Sequence, residues 1–530
     1  MQLVAYGAED LYLTGNPQIT YWKVVYRRHT NFSMEYIEQY FESLPNFVPN
    51  KPTEVKIKIE RNADLLYDTY LVYDLPNIMF PLQNYPGITV EEVNFRWIRN
   101  LGHRIIDHVS INIGGQEIDK QYGQWMNIWS ELTVTESKKE AYNRLIGEHY
   151  KLRPGFSRYY PDKSGNITIP STRLYIPFEF WFVSNPGLAL PLIALQYDPV
   201  FIYITFNPLN DLFTIGPNNL SPCAYFSSEN IAQAEPNSLL SQLVTQGYND
   251  QNIFNLFVSG EWNQNSYLLC NYIYLDDNER KKFAATSHEY LIPQVQRRLY
   301  TGLTYGPNKV RIDMFHPMKE LIWVLQKDNV KDFNNWFNYT FLDLNNDYLA
   351  LQKGYSNKFD YLFHQPDTEF MNSINNSFIV PSEVNPVNQN CNFLGANVSP
   401  TNAFNDYVNI MLNAKLIING HDRFDLRDEV FFNALQSYKY HTHSAKPGIY
   451  VYSFAVFPEQ AQPSGTANFS RMNKVELQFY IRRDVCDTVE QDPIEDGTPA
   501  NPTQYNMYLY GVNYNVLRIM GGMGGIAFQT

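Results

Sequence analysis

Four cysteines in 530 residues, Cys223, Cys270, Cys391 and Cys486, form no C-x-x-C pair and none of the close spacings of a zinc site or a small disulfide scaffold. They read as free thiols in a reducing compartment. Charge is also scarce, at 18% of residues against ~25% in an average soluble domain, while aromatics reach 15%. A disordered chain needs the opposite balance, so that class is excluded. Positive charge is in deficit: 41 Lys and Arg face 54 Asp and Glu, for a net charge of -13. Such a molecule repels phosphate backbones and anionic lipid surfaces, so no direct nucleic-acid partner is expected. Long hydrophobic runs are missing too. The most apolar stretch, Leu188 to Leu195, holds Pro191 and falls far short of the ~20 residues of a membrane span. The opening Met1 to Asp10 has neither the basic nor the apolar region of a signal peptide, so a cytosolic chain is expected.

What is present is short, alternating and rich in Tyr, Phe, Ile and Val, as in Val55–Ile59, Thr69–Tyr73, Tyr175–Phe182 and Val200–Phe206. Strands cut by Pro and Gly with little helical period predict an all-β sandwich or barrel. Helical patterns are confined to Gln121–Leu132, Ser137–His149 and Asp425–Tyr438.

The pattern occurs twice. A strand, a Gly turn and a helix run through Ile111–Glu117 into Gln121–Leu132, and again through Leu416–Asp422 into Asp425–Tyr438. Gly114-Gly115 and Asn419-Gly420 both suit a primed turn with positive φ. Two aromatic strands around a Pro/Gly loop follow in Leu174–Phe206 and in Gly448–Tyr480, and Tyr-rich strands close the halves at Tyr267–Leu275 and Tyr505–Tyr514. This order predicts a duplicated sandwich whose halves meet in the charged stretch Asp276–Lys282. Two polar segments, Asn207–Asn255 and Lys327–Asn409, fit neither copy and are expected as surface insertions.

No constellation for catalysis, cofactor or metal emerges. Gly521–Gly525 lacks the Lys and the following helix of a phosphate loop. Asp343–Asp347 opens like a calcium loop but has Tyr348 and Gly354 where Gly and Glu are needed. His441 and His443 would share a strand face, without a visible third ligand, and read as surface histidines. The pairs Glu91/Glu92 and Asp276/Asp277 would point to opposite strand faces and read as solvated edges. No G-x-S-x-G elbow is present. Sequons are about as frequent as chance allows, and those in the two long segments, Asn219, Asn338, Asn375 and Asn397, are the candidate glycosylation sites.

Blocks along the whole chain resemble the major capsid proteins of the nucleocytoplasmic large DNA viruses. They include Gly7–Thr20, Lys23–Phe32, Ile113–Asp119, Tyr274–Arg280, Ser287–Ile292, His316–Trp323, Gln462–Arg471 and Asn513–Met520, and they skip the two insertions. The resemblance implies a double jelly roll: an N-terminal arm over 1–24, an eight-stranded antiparallel sandwich over 25–285 with its insertion at about 207–255, and a second over 286–530 with its insertion at about 327–409. It further implies a homotrimeric, pseudo-hexagonal capsomer tiling an icosahedral shell, assembled in the host cytoplasm over minor capsid proteins. The Arg27-Arg28-His29 cluster is the candidate assembly contact at the capsomer base. Two other classes remain open from the residues: a β-sandwich glycosidase, whose two carboxylates could converge unseen, and a sugar-binding module with exposed aromatics in the insertions.

Overall fold

The computed structural model describes residues 7–43, 51–80, 94–148, 160–161, 167–169, 171–216, 266–340, 409–482 and 503–528. Sixteen strands build two sandwiches in sequence. The first uses β1 (Phe32–Gln39), β2 (Thr53–Ile59), β3 (Leu65–Leu75), β4 (Ile106–Ile113), β5 (Gln116–Tyr122), β6 (Thr172–Pro177), β7 (Val200–Phe206) and β8 (Tyr267–Leu275). The second uses β9 (His288–Leu303), β10 (Gly306–Arg311), β11 (Pro317–Lys327), β12 (Met411–Ile418), β13 (His421–Asp422), β14 (Ile449–Ser453), β15 (Val475–Ile481) and β16 (Tyr505–Met520). A further strand, β17 (Met523–Ile526), folds back on β16.

The sheets of the first sandwich run β1-β8-β3-β6 and β2-β7-β4-β5; those of the second run β9-β16-β11-β14 and β10-β15-β12-β13. Each strand of the second sandwich is thus the counterpart of the strand eight places earlier. All these pairings are antiparallel, and the fold is a double jelly roll.

Alternation explains the burial. In β7, Val200, Ile202, Ile204 and Phe206 enter the first core and the residues between them do not. Gly114 and Gly115 turn β4 into β5 with φ of 60° and 85°, and Asn419 and Gly420 turn β12 into β13 with φ of 52° and 83°. The two reversals are the same device at equivalent connections, as the duplicated pattern predicts.

Helices follow each of these hairpins. After β5 come α1 (Gly123–Thr133) and α2 (Glu136–Ile146). The link between sandwiches is α3 (Asp277–Ala285), with Asp277 and Glu279 in its first turn, where they complement the helix dipole. Asp276 and Asp277 are solvated as expected, but they open a helix instead of edging a strand. After β13 the chain makes a π-helical turn at Phe431–Leu435 that continues into α4 (Gln436–Tyr440).

One predicted strand is shorter than its pattern. β6 stops at Pro177, and Phe178, Phe180, Trp181 and Phe182 instead plug the core from a loop and a short helical turn. Alternating aromatics there serve packing from irregular backbone, which periodicity alone does not separate from a strand.

Candidate functional site: the joint and the assembly surface

The two sandwiches share a third apolar cluster. Trp125, Ile128 and Leu132 on α1 pack against Ile322 and Val324 of β11, Ile449 and Val451 of β14, and Tyr510 and Val512 of β16. β11 is therefore buried on both faces: Leu321, Trp323 and Leu325 enter the second core while Ile322 and Val324 face the joint. Tyr510 donates its hydroxyl to Gln124 Oε1 at 2.7 Å across the same contact. A second clasp uses the C-terminal hairpin. Gly524 N–H donates to Asp198 Oδ2 at 2.9 Å, Ile526 N–H to Gln116 Oε1 at 3.1 Å, and Tyr197 N–H to the Gly522 carbonyl at 3.0 Å. The glycine-rich terminus is thus a hairpin turn docked on the first sandwich.

Charges line the edge of the joint. Glu131 on α1 pairs with Lys446 from the second sandwich and lies 3.5 Å from Lys139. Burial alone would raise the Glu131 carboxyl, but the two lysines hold it below its usual range. His443 donates through Nδ1 to the Glu131 carbonyl at 3.0 Å and sets Nε2 2.9 Å from the Glu136 carboxylate. His441 is buried, with Nε2 3.0 Å from Glu320 and Nδ1 3.0 Å from Glu459. Burial alone would lower its pKa, but the two carboxylates outweigh it and push the imidazole up to about 9. The expectation of two surface histidines on a strand fails for His441. This segment is irregular, and its imidazoles diverge to separate carboxylates because each closes a different charge. Among the described residues, no group of three or more His, Cys, Asp or Glu is arranged to hold a metal ion.

The start of each long polar segment is part of the joint, not an excursion from it. Leu209, Leu212 and Phe213 are buried in the first core. Asn334 donates through Nδ2 to the carbonyls of Asn210 and Phe213, both at 2.7 Å, and Trp336 lies under the Arg104 guanidinium at 3.6 Å from its ring centre. Polar Asn side chains misled the sequence reading because they are satisfying backbone carbonyls in the interior. Residues 217–255 and 341–408 lie outside the described residues, and with them Asn219, Asn375 and Asn397. Asn338 is half-buried beside a cavity of about 50 Å³, and its Oδ1 accepts from the Thr340 amide and hydroxyl at 3.1 and 2.8 Å. Of the cysteines, Cys270 is a buried free thiol whose pKa burial pushes up; Cys223, Cys391 and Cys486 lie outside the described residues, as do Glu91, Glu92 and Asp343–Asp347.

The surface offers a different chemistry. The N-terminal arm has one helical turn, Leu11–Thr14, and its side chains are bare, with Tyr21 at 90% and Trp22 at 96% exposure. Arg27, Arg28 and His29, which follow the arm, are exposed as well. Among the described residues nothing covers this apolar surface.

Two family models match the chain: "Major capsid protein N-terminus" over residues 20–276 and "Large eukaryotic DNA virus major capsid protein" over 279–525. The major capsid protein of Phaeocystis pouchetii virus is 36% identical, over 100% of this chain and 99% of its own. The chain belongs to the major capsid proteins of the large eukaryotic DNA viruses. As a major capsid protein it is also 30% identical to that of Paramecium bursaria Chlorella virus 1, over 100% of this chain and 99% of the relative. A chain from the PBCV-1 virus capsid superposes with a TM-score of 0.60 at 26% identity, covering 96% of this chain and 100% of the other. The Faustovirus major capsid protein shares the fold, with a TM-score of 0.60 at 12% identity over 97% and 94% of the two chains. This capsid protein is a structural component of the virion shell and not an enzyme. Its functional site is accordingly a set of surfaces.

Proposed function

We propose that this capsid protein closes as a homotrimer, and that the trimers tile an icosahedral shell as pseudo-hexagonal capsomers. The observation that carries the reading is the strand-for-strand repetition of one sandwich within the chain. Two equivalent units per chain give six per trimer, and six equivalent units around an axis suit hexagonal packing. A cyclic closure also leaves no unsatisfied sticky edge. The bare apolar arm, with Arg27, Arg28 and His29 just after it, supplies a contact for neighbouring capsomers or for minor capsid proteins beneath the shell, with assembly in the host cytoplasm. Light scattering on the purified protein should give three times 61.9 kDa, and negative-stain images should show a hexagonal outline. A monomer at micromolar concentration overturns the reading.

A further inference from the structure

Residues 441 to 446 cross from the second sandwich to the first as a strap over the end of α1. At the second sandwich the His441 side chain is fully buried between two carboxylates of different origin. Glu320 of β11, itself without exposure, lies 3.0 Å from Nε2, and Glu459 of the loop after β14 lies 3.0 Å from Nδ1. Thr442 donates its amide to Glu459 at 2.9 Å and its hydroxyl to the same carboxylate. At the first sandwich the His443 amide donates to the Leu132 carbonyl at 2.9 Å, and its imidazole contacts the Glu131 carbonyl and the Glu136 carboxylate. Leu132 and Glu131 stand in the last turn of α1, where carbonyls have no partner within the helix. Lys446 pairs with the Glu131 side chain, Ala445 packs on the joint cluster, and Trp129 meets the His441 ring edge-on at 6.2 Å.

One proton decides whether the second-sandwich end of the strap holds. A neutral imidazole has a single N–H and serves one of the two carboxylates; only the imidazolium serves both. Removing the proton leaves a buried carboxylate without its cation, which costs several kcal/mol in general. The other charged groups do not take its place. Lys319 of β11 donates its Nζ to the Pro458 carbonyl at 2.8 Å, and burial lowers its pKa. Tyr514 of β16 faces Glu320 with a hydroxyl that burial and that carboxylate push up, so it keeps its proton. On the first-sandwich side stand Glu131, Glu136 and Lys139, which answer His443 and Lys446 of the strap. The segment itself is irregular, so lifting it costs far less than opening a sheet.

We propose that residues 441 to 446 are a proton-operated strap: with His441 charged they are pinned between β11 and the Glu459 loop and cover the end of α1, and when His441 gives its proton to solvent base they lift and the joint loosens while both cores stay folded. The direction follows from the two carboxylates, which push His441 up to about 9, so the strap is closed at neutral pH and opens in alkali. A shell built of such chains is loosened by alkali from within each subunit, before any sandwich melts.

The test treats the full-length protein with proteinase K at pH values from ~7 to ~10.5 and reads, by mass spectrometry, cleavage between Tyr440 and Pro447 against an unfolded reference peptide at each pH. In the wild type, normalised cleavage should rise roughly tenfold or more around pH 9, with the circular dichroism of the sandwiches unchanged. Glu459→Gln leaves one carboxylate and should move the midpoint down by about one pH unit or more. His441→Gln should be cleaved at one raised rate throughout, and Lys319→Met should retain the transition. Wild-type cleavage that ignores pH, a midpoint shared with Glu459→Gln, or a transition lost in Lys319→Met and kept in His441→Gln overturns the strap. Loss of circular dichroism in step with cleavage overturns it as well, because the whole chain would then be unfolding.

Discussion

The indole of Trp125 in the first sandwich rests against the ring of Tyr510 in the second, with centroids 5.3 Å apart and planes at 40°, and Trp129 stacks on Trp125 at 5.2 Å. These three rings bring the two halves into one body. Each sandwich has its own core, so the strength with which they move together depends on this contact.

Trp125→Ala should therefore destabilise the chain by about 3 to 5 kcal/mol, the usual cost of removing a buried Trp. The loss should fall on the joint. Native-state hydrogen exchange should quicken at β11 and β16 more than at β2 and β7, which line only the first core.

The His441 ion pairs give a pH dependence with a definite sign. Its folded pKa of about 9 lies above the ~6.5 of an unfolded histidine, so the folded chain holds the proton more tightly. The stabilisation is complete below pH ~6.5 and fades as pH rises through about 9, by on the order of 3 kcal/mol. Melting temperature should fall over that window in the wild type. His441→Gln should flatten the alkaline limb; a limb of unchanged slope assigns the proton elsewhere.

Gly115 and Gly420 share a φ near 85°, and a Cβ on either meets nothing within 4 Å. Gly115→Ala and Gly420→Ala should each cost about 1 to 2 kcal/mol, the strain of a left-handed L-residue with no added clash. Urea midpoints measure it. Costs that differ severalfold would mean the two turns are not equivalent.

Removing residues 1 to 24 takes away most of the bare arm without touching a strand of either sandwich. Trimers should persist in light scattering while shells fail to form in particle assays. Loss of the trimer on truncation would place the arm inside the capsomer interface.

The duplication was legible because turn chemistry is local: Gly-Gly and Asn-Gly announce their backbone, and β7 alternates as a half-buried strand should. Less legible was the joint. Nothing in Trp125, Ile128 and Leu132 says whether a helical stripe covers its own sandwich or the next, because periodicity fixes a face and not its partner. Asn334 and His441 were misplaced for a related reason. Residues that are polar by composition are buried here against specific carbonyls and carboxylates, and those contacts exist only after residues more than a hundred positions apart, or a Glu from a neighbouring strand, arrive.

The β9-β16-β11 sheet also dictates an order of events during synthesis. Phe32 pairs with Leu275, so β1 waits for some 240 residues before its neighbour exists; His288 pairs with Ile519, some 230 residues later. Since β16 lies between β9 and β11, neither can complete its ladder until Tyr505–Met520 has left the ribosome. The first sandwich can close while translation continues, but the surface that receives α1 cannot. A nascent chain thus carries α1 with no seat until Tyr505–Met520 has emerged, and only molecules that contain β16 acquire the sealed joint.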